Sequence, residues 1–440
     1  MKTKRRLMSL LGFTSTILLC FLLTSQSYAK AQKNQDELNK RIQALDKYTK
    51  TLALIEQYYV EDQNITDLID KSISGLLSNL DAHSSFLDEK SLNDMKIQTS
   101  GEFGGLGITV GMKGSALTVI APIEGTPADK AGIKAGDVIL RINGEATLGM
   151  NLNDAVDKMR GKPKSEITIT IYRQGGQKPF DLTLKRDIIK VESVYSKMIQ
   201  NEDILYLRVT TFDKNVAEQA RKALKANAKV KGVVLDLRNN PGGLLDQAIE
   251  LTNLFVDKGV IVSQKGKIEA ENRIYEAVKS KKVSDAPLVV LVNGGSASAS
   301  EIVSGALQDL KRGLVLGEKT FGKGSVQSII QINKTEALRL TIARYYLPSG
   351  KTIQAVGLEP DIEVAPGKIS SLDENFALKE SDLKQHLQGE LEKISANKKE
   401  TKSTKEDKNI ITASQINDDA QLKAAVDAVK ILNIQKRIEK

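Results

Sequence analysis

Tryptophan is absent from the 440 residues, histidine occurs twice and cysteine once. Each scarcity removes a class of chemistry. The single Cys20 lies inside an apolar run near the N-terminus. A chain cleaved beyond that run would have no disulfide, no redox pair and no thiol nucleophile. The histidines are His83, in a helical region, and His386, in a polar tail. A Ser-His-Asp triad would have to borrow His83 from outside the α/β part of the chain. There is no HExxH, no CxxC and no cluster of His and Asp, so no metal is expected. No phosphate-binding loop of the form GxxxxGK followed by Ser or Thr occurs, nor a GxGxxG at a strand-to-helix turn, and no cofactor is expected. The formal charge is +9, but Lys2, Lys4, Arg5 and Arg6 fall in the first six residues, leaving about +5 for the rest. That is modest at this length, so nucleic-acid binding is not inferred.

What is present begins with those four charges. MKTKRR is a basic leader, LMSLLGFTSTILLCFLL an apolar run, and Ser27 and Ala29 have the small-x-small spacing read by signal peptidase. Cleavage after Ala29 and export are expected, with an uncleaved anchor as the alternative. Leu19 before Cys20 is too large for a lipidation signal. No other apolar stretch is long enough to span a bilayer.

The remaining chain reads as a multidomain α+β protein. Residues 30–98 carry apolar residues at helical spacing, as in LNKRIQALDKYTKTLALIEQYY and ITDLIDKSISGLLSNL. Residues 99–186 change to short alternating strands, glycine turns and one helix, Leu152 to Met159. Residues 187–366 alternate strands (ILYLRVTTF, GVVLDLR, PLVVLVN) with helices (NVAEQARKALKAN, LLDQAIELTNLFV, SEIVSGALQDL), the rhythm of an α/β core. Residues 367–440 form a tail. Its lysine-rich LEKISANKKETKSTKEDKN is expected to be a disordered link, and DDAQLKAAVDAVKIL a terminal helix.

The stretch NGGSASASE (293–301) sits where an apolar strand runs into a helix. Ser298 and Glu301 fit the capping pattern S-x-x-E, so Ser298 is either a helix cap or a nucleophile at a helix N-terminus. Local sequence does not rank Ser296, Ser298 and Ser300. A serine hydrolase without histidine needs another base, and lysine is the usual substitute, because burial favours its neutral form. Lys323, flanked by Gly322 and Gly324 in TFGKGSVQ, has unusual surroundings for a lysine. A second strand-to-helix turn, DLRNNPGG, offers backbone N–H groups at Gly242 or Gly243 as oxyanion donors, or is simply a turn.

Six motifs in order resemble the carboxy-terminal processing peptidases, or tail-specific proteases: LDAHSSFL (80–87), TSGEFGGLGI (99–108), DLRNNPGG (236–243), NGGSASASEI (293–302), GEKTFGKGSVQ (317–327) and GLEPDIEV (357–364). The resemblance implies a Ser/Lys serine endopeptidase on a crotonase- or ClpP-like core with an embedded PDZ domain. It makes Ser298 the nucleophile, Lys323 the base and Gln327 the residue that orients it. It places oxyanion donors on the N–H groups of Ala299 and, in the second turn, Gly242. Asp309 matches an acidic position counted with the catalytic group, although a structural role near a helix end is the stronger reading. Gly104, Gly105, Leu106, Gly107 and Ile108 stand where the PDZ carboxylate-binding loop lies, implying substrates with free, apolar C-termini. A bacterial periplasmic location, or the outer face of the inner membrane, follows from export. An activating partner protein and a homodimer built on the N-terminal helices are both left open. Ala82 replaces a proline frequent in that motif. The alternative function is a non-catalytic PDZ adaptor or chaperone, which should have lost Ser298, Lys323 or Gln327. An acyl-CoA enzyme is supported by fold analogy alone.

Overall fold

GVVLD and LVVLV, apolar up to a final Asp236 in the first, mark strands that must be covered on both faces. The computed structural model places them side by side at the centre of a sheet. It describes residues 32, 34–175, 178–369 and 409–438. The expected leader with Cys20, the lysine-rich link up to Lys408, and His386 lie outside the described residues.

The chain divides into two compact units, residues 1–86 and 87–440. The first unit holds α1 (34–58) and α2 (Ile65–Ser78). Asn64 caps α2 by accepting the Thr66 N–H at 2.8 Å. Leu38, Ile42, Leu45, Tyr58 and Leu76 of this unit remain exposed. A short strand, β1 (Ser85–Leu87), spans the junction.

The second unit starts with α3 (Glu89–Ser100), which ends at Gly101 with φ +65. The β-rich module follows: β2 (Glu102–Gly105), β3 (Ile108–Lys113), β4 (Ala116–Pro122), α4 (Pro127–Lys130), β5 (Val138–Ile142), β6 (Glu145–Ala146), α5 (Leu152–Met159), β7 (Glu166–Tyr172), β8 (Phe180–Lys185) and β9 (Asp187–Lys190). Its antiparallel sheet has the order β3-β4-β5-β7-β8, with β6 on β5. Strict alternation in β7, EITITIY, sends Ile167, Ile169 and Ile171 into a core closed by Ala155 and Met159 of α5. Strands β2 and β9 form a separate antiparallel ribbon where the module enters and leaves the core.

The core contains β10 (Val194–Ile199), β11 (Ile204–Val209), α6 (Val216–Ala226), β12 (Gly232–Asp236), α7 (Leu245–Asn253), β13 (Val260–Gly266), β14 (Arg273–Glu276), β15 (Leu288–Val292), α8 (Ala299–Asp309), β16 (Leu314–Gly317), β17 (Ser325–Gln331), β18 (Ala337–Tyr346) and β19 (Ile362–Glu363). After the undescribed link come β20 (Ile410–Ile411), α9 (Ala413–Asn417) and α10 (Ala420–Ile438). Among the described residues the central sheet has seven strands, ordered β19-β16-β15-β12-β11-β10-β20, parallel except for the β10–β11 pair. Alternate residues serve opposite faces. Leu205, Leu207, Val233, Leu235, Val290 and Val292 pack under α6, α7 and α8. Tyr206, Val234, Val289 and Leu291 pack against Leu422, Val426 and Val429 of α10. The C-terminal helix is therefore half of the core's cover, not the end of a loose tail.

An ion-paired junction fixes that helix. Arg238, just past β12, donates to both Asp419 oxygens at 2.9 and 2.8 Å and to Gln421 at 3.0 Å, while its other side binds the buried Asp236. Burial acts to raise the Asp419 carboxyl. Hydrogen bonds from Arg238 and the Leu422 amide, with the guanidinium charge, outweigh it and hold the group below the ordinary carboxylate range. A depressed folded-state pKa adds stability above the ordinary value, about pH 4. That stability is lost as pH falls through the folded value. Acid titration of unfolding, followed by circular dichroism, should show a loss below about pH 4 that is smaller in Asp419→Asn. Equal acid slopes in the two proteins would remove this pair from the account.

Candidate active site

Strands β12 and β15 are parallel neighbours, so both run out at the same sheet edge, where each turns into a helix. The turn after β15 carries the three serines, and their surroundings differ. Ser296 is fully buried, and its hydroxyl donates to the Leu237 carbonyl at 2.8 Å. Ser300 is fully buried, and its hydroxyl donates to the Asn240 carbonyl at 2.8 Å. Ser298 is only partly buried, and its hydroxyl donates to no backbone carbonyl among the described residues. Its φ of 53° and ψ of −110° are unusual for a residue with a side chain. Such a conformation costs on the order of 1–3 kcal/mol and persists only where its surroundings hold it. The geometry thus separates three serines that the local sequence left equal.

The turn after β12 lies against this one. The Asn240 carbonyl also accepts the Ala297 N–H at 3.0 Å, and Asn239 and Asn293 exchange hydrogen bonds of 2.8 and 2.9 Å. Gly242, at φ +104, is so close that an added Cβ would stand 2.9 Å from Ser298 Cβ and 3.0 Å from the Ala299 nitrogen. Its own N–H, expected to be an oxyanion donor, is committed to Asn240 Oδ1 at 2.9 Å. An Asn before Pro folds its side chain back in this way. In this turn Gly243 has the N–H with no acceptor among the described residues, and Ala299 likewise has none. Of the two glycines, Gly243 rather than Gly242 thus has the N–H left unbonded.

Lys323 is half-buried two residues before β17, and its N–H donates to Glu301 at 2.9 Å. Gln327, on β17 itself, donates from Nε2 to Ser325 and Thr341 at 2.9 and 3.3 Å. Asp309 does not join this group. It ends α8, accepts the Ser349 N–H at 2.9 Å, and lies about 16 Å from Ser298 by helical rise. His83 belongs to the first unit, in a turn where Asp81 accepts its N–H at 2.7 Å.

In the β-rich module, Gly105, Leu106, Gly107 and Ile108 line one side of a groove of about 300 Å³, and Val156 and Met159 of α5 line the other. The N–H groups of Leu106 and Gly107 have no acceptor among the described residues. Gly104 is not part of the groove. It packs on the Gly161 carbonyl, where a Cβ would come within 2.0 Å. Sequence reasoning missed Arg160, which closes the groove beyond α5. Its guanidinium lies 5.2 Å from the Phe103 ring centroid, and its buried Nε has no partner.

Residues 203–364 match peptidase family S41, residues 118–173 a PDZ domain, and residues 14–91 the N-terminal domain of the activating protease CtpB. A carboxy-terminal-processing protease of Bartonella bacilliformis is 46% identical over 347 residues, covering 77% of this chain and 79% of that one. The carboxy-terminal processing protease CtpA of Bacillus subtilis is 34% identical over 390 residues, covering 87% and 82%. Among solved structures, a photosystem II D1 C-terminal processing protease has 30% identity and a TM-score of 0.42, covering 72% of this chain and 92% of that one. The chain belongs to the carboxy-terminal processing proteases of peptidase family S41, serine-type peptidases that here carry a PDZ domain.

The close approach of Gly242 gives a direct test. Gly242→Ala should lower kcat roughly 100-fold, since a shift of about 1 Å in a reacting group costs that much. The far-UV spectrum should stay unchanged. A wild-type kcat would mean that the two turns tolerate separation.

Proposed function

We propose that this chain is an exported endopeptidase that holds substrate C-termini in its PDZ groove and cleaves with a Ser298–Lys323 dyad. The observation that carries the reading is Ser298 itself: partly open, conformationally strained, at a helix N-terminus, with two unbonded N–H groups in the turns around it. Neutral Lys323 takes the Ser298 proton as the oxygen attacks the scissile carbonyl. The N–H groups of Ala299 and Gly243 receive the oxyanion. Protonated Lys323 gives its proton to the leaving amine, and water resolves the acyl-enzyme. Gln327 spends its Nε2 on Ser325 and Thr341, which leaves its amide oxygen to orient the lysine.

The groove fits a C-terminus chemically. Two successive free N–H groups and the guanidinium of Arg160 suit a carboxylate, while Leu106, Ile108, Val156 and Met159 suit an apolar last side chain. Export is supported by the basic leader and apolar run. The exposed apolar residues of the first unit support a protein partner, either a second copy or an activator.

Residues 30–440 should cleave an unstructured protein ending in apolar residues, and Ser298→Ala and Lys323→Ala should not, with products read by mass spectrometry. Retained cleavage by Lys323→Ala would point to another base. In a separate measurement, amidating the C-terminus of a groove-binding peptide should weaken its binding at least tenfold, because one unit of charge-assisted bonding is worth about 1.5–3 kcal/mol. Arg160→Ala should remove much of that difference. Equal binding of acid and amide would end the carboxylate role.

A further inference from the structure

The Glu301 carboxylate is fully buried and accepts four hydrogen bonds. A capping box explains only one of them, from the Ser298 N–H to Oε2 at 2.8 Å. The same Oε2 accepts the Lys323 N–H at 2.9 Å. Oε1 accepts the Gly322 N–H at 2.7 Å and the Thr320 hydroxyl at 2.6 Å. Thr320 is itself tied to the next segment, since its Oγ1 accepts the Leu358 N–H at 2.7 Å. Three of the four donors thus come from residues 320–323, far along the chain from the helix that Glu301 caps.

We propose that Glu301 is a positioning residue that locks the backbones of Ser298 and Lys323 to a single carboxylate oxygen, holding nucleophile and base in one frame. The inference rests on the Ser298–Lys323 reading above. One oxygen bonded to both amides makes the two residues neighbours, whatever their side chains do in the reaction cycle. The device suits its task for three reasons. Four donors fill the acceptor capacity of a carboxylate, so no lone pair is left to compete for the Ser298 or Lys323 side chain. Hydrogen bonds to a charged acceptor are the stronger kind, and burial strengthens them further. The bond to the Ser298 N–H also holds the strained backbone on which the nucleophile stands. Glu301 touches no substrate, and its effect is on geometry alone.

An amide is a poor replacement, because its NH2 group would face either two N–H donors or an N–H and a hydroxyl. The test uses mature wild type (residues 30–440), Glu301→Gln, Thr320→Val and Thr320→Ser. Active sites are counted by labelling Ser298 with a fluorophosphonate, so that kcat is expressed per reactive serine and unfolded enzyme does not enter. On a fluorogenic peptide with an apolar C-terminus, Glu301→Gln should lose roughly 10- to 100-fold in kcat. KM should stay within about twofold, since the PDZ groove is untouched. Thr320→Val should lose kcat by several-fold, and Thr320→Ser, which keeps the hydroxyl, should recover it. A folded Glu301→Gln with wild-type kcat per labelled site overturns the proposal. If Glu301→Gln does not fold, the Thr320 pair decides, and equal kcat for Val and Ser at that position overturns it. Absence of labelling at Ser298 in the wild type would strike the Ser/Lys reading itself, and the clamp with it.

Discussion

Two parallel strands that end side by side are the constraint on which the site depends. Strands in a sheet lie about 4.8 Å apart, so the turns that follow β12 and β15 have no freedom to separate. One turn carries Ser298 and the other the free N–H of Gly243. The Asn240 carbonyl binds them together by accepting from Ala297 and Ser300. Strain at Ser298 and the left-handed Asn239 is tolerable because the turns are fixed from several sides. The Ser298 turn sits at the carboxyl edge of an open α/β sheet, where such folds place ligands.

The same turn reaches toward the PDZ module. Phe212, in the loop after β11, pairs its backbone with Gly242 and Leu244. Three residues of that loop grip the stalk of the module: Lys214 donates to the Thr99 carbonyl at 3.1 Å, Asn215 to Ser100 at 3.4 Å, and the buried Asp213 fills the space beside Gly101. A Cβ on Gly101 would meet Asp213 at 2.6 Å, which explains a glycine at the helix end there. The turn after β12 and the segment that leads into the PDZ module therefore share the loop after β11 as a common neighbour.

Much of this was legible in the sequence, for local reasons. Buried parallel strands are continuous apolar runs, and the helix Leu152–Met159 was readable to the residue from its spacing. The site was legible only as candidates. Three serines in alternation look alike until their neighbours are known, and Leu237 and Asn240 lie about sixty residues away. The Asn-Pro-Gly order did hold a signal that Asn240 would occupy the Gly242 N–H, and the length of α8 held one against Asp309. The strands β13 and β14 were missed because their runs are short and mixed with polar residues. The docking of α10 was invisible because its partner residues are spread across a sheet made elsewhere in the chain.

That last helix has a consequence for how the enzyme comes into being. Arg238 and its partner Asp419 are 181 residues apart, and one whole face of the sheet stays bare until Leu422, Val426 and Val429 arrive. A nascent chain that stops before residue 409 has Ser298, Lys323 and both turns, yet lacks the apolar residues that cover this face. Completion of that core is thereby reserved for a chain that has reached α10. A hydrolase whose candidate site residues are all made early can pack them fully only after α10 has been made.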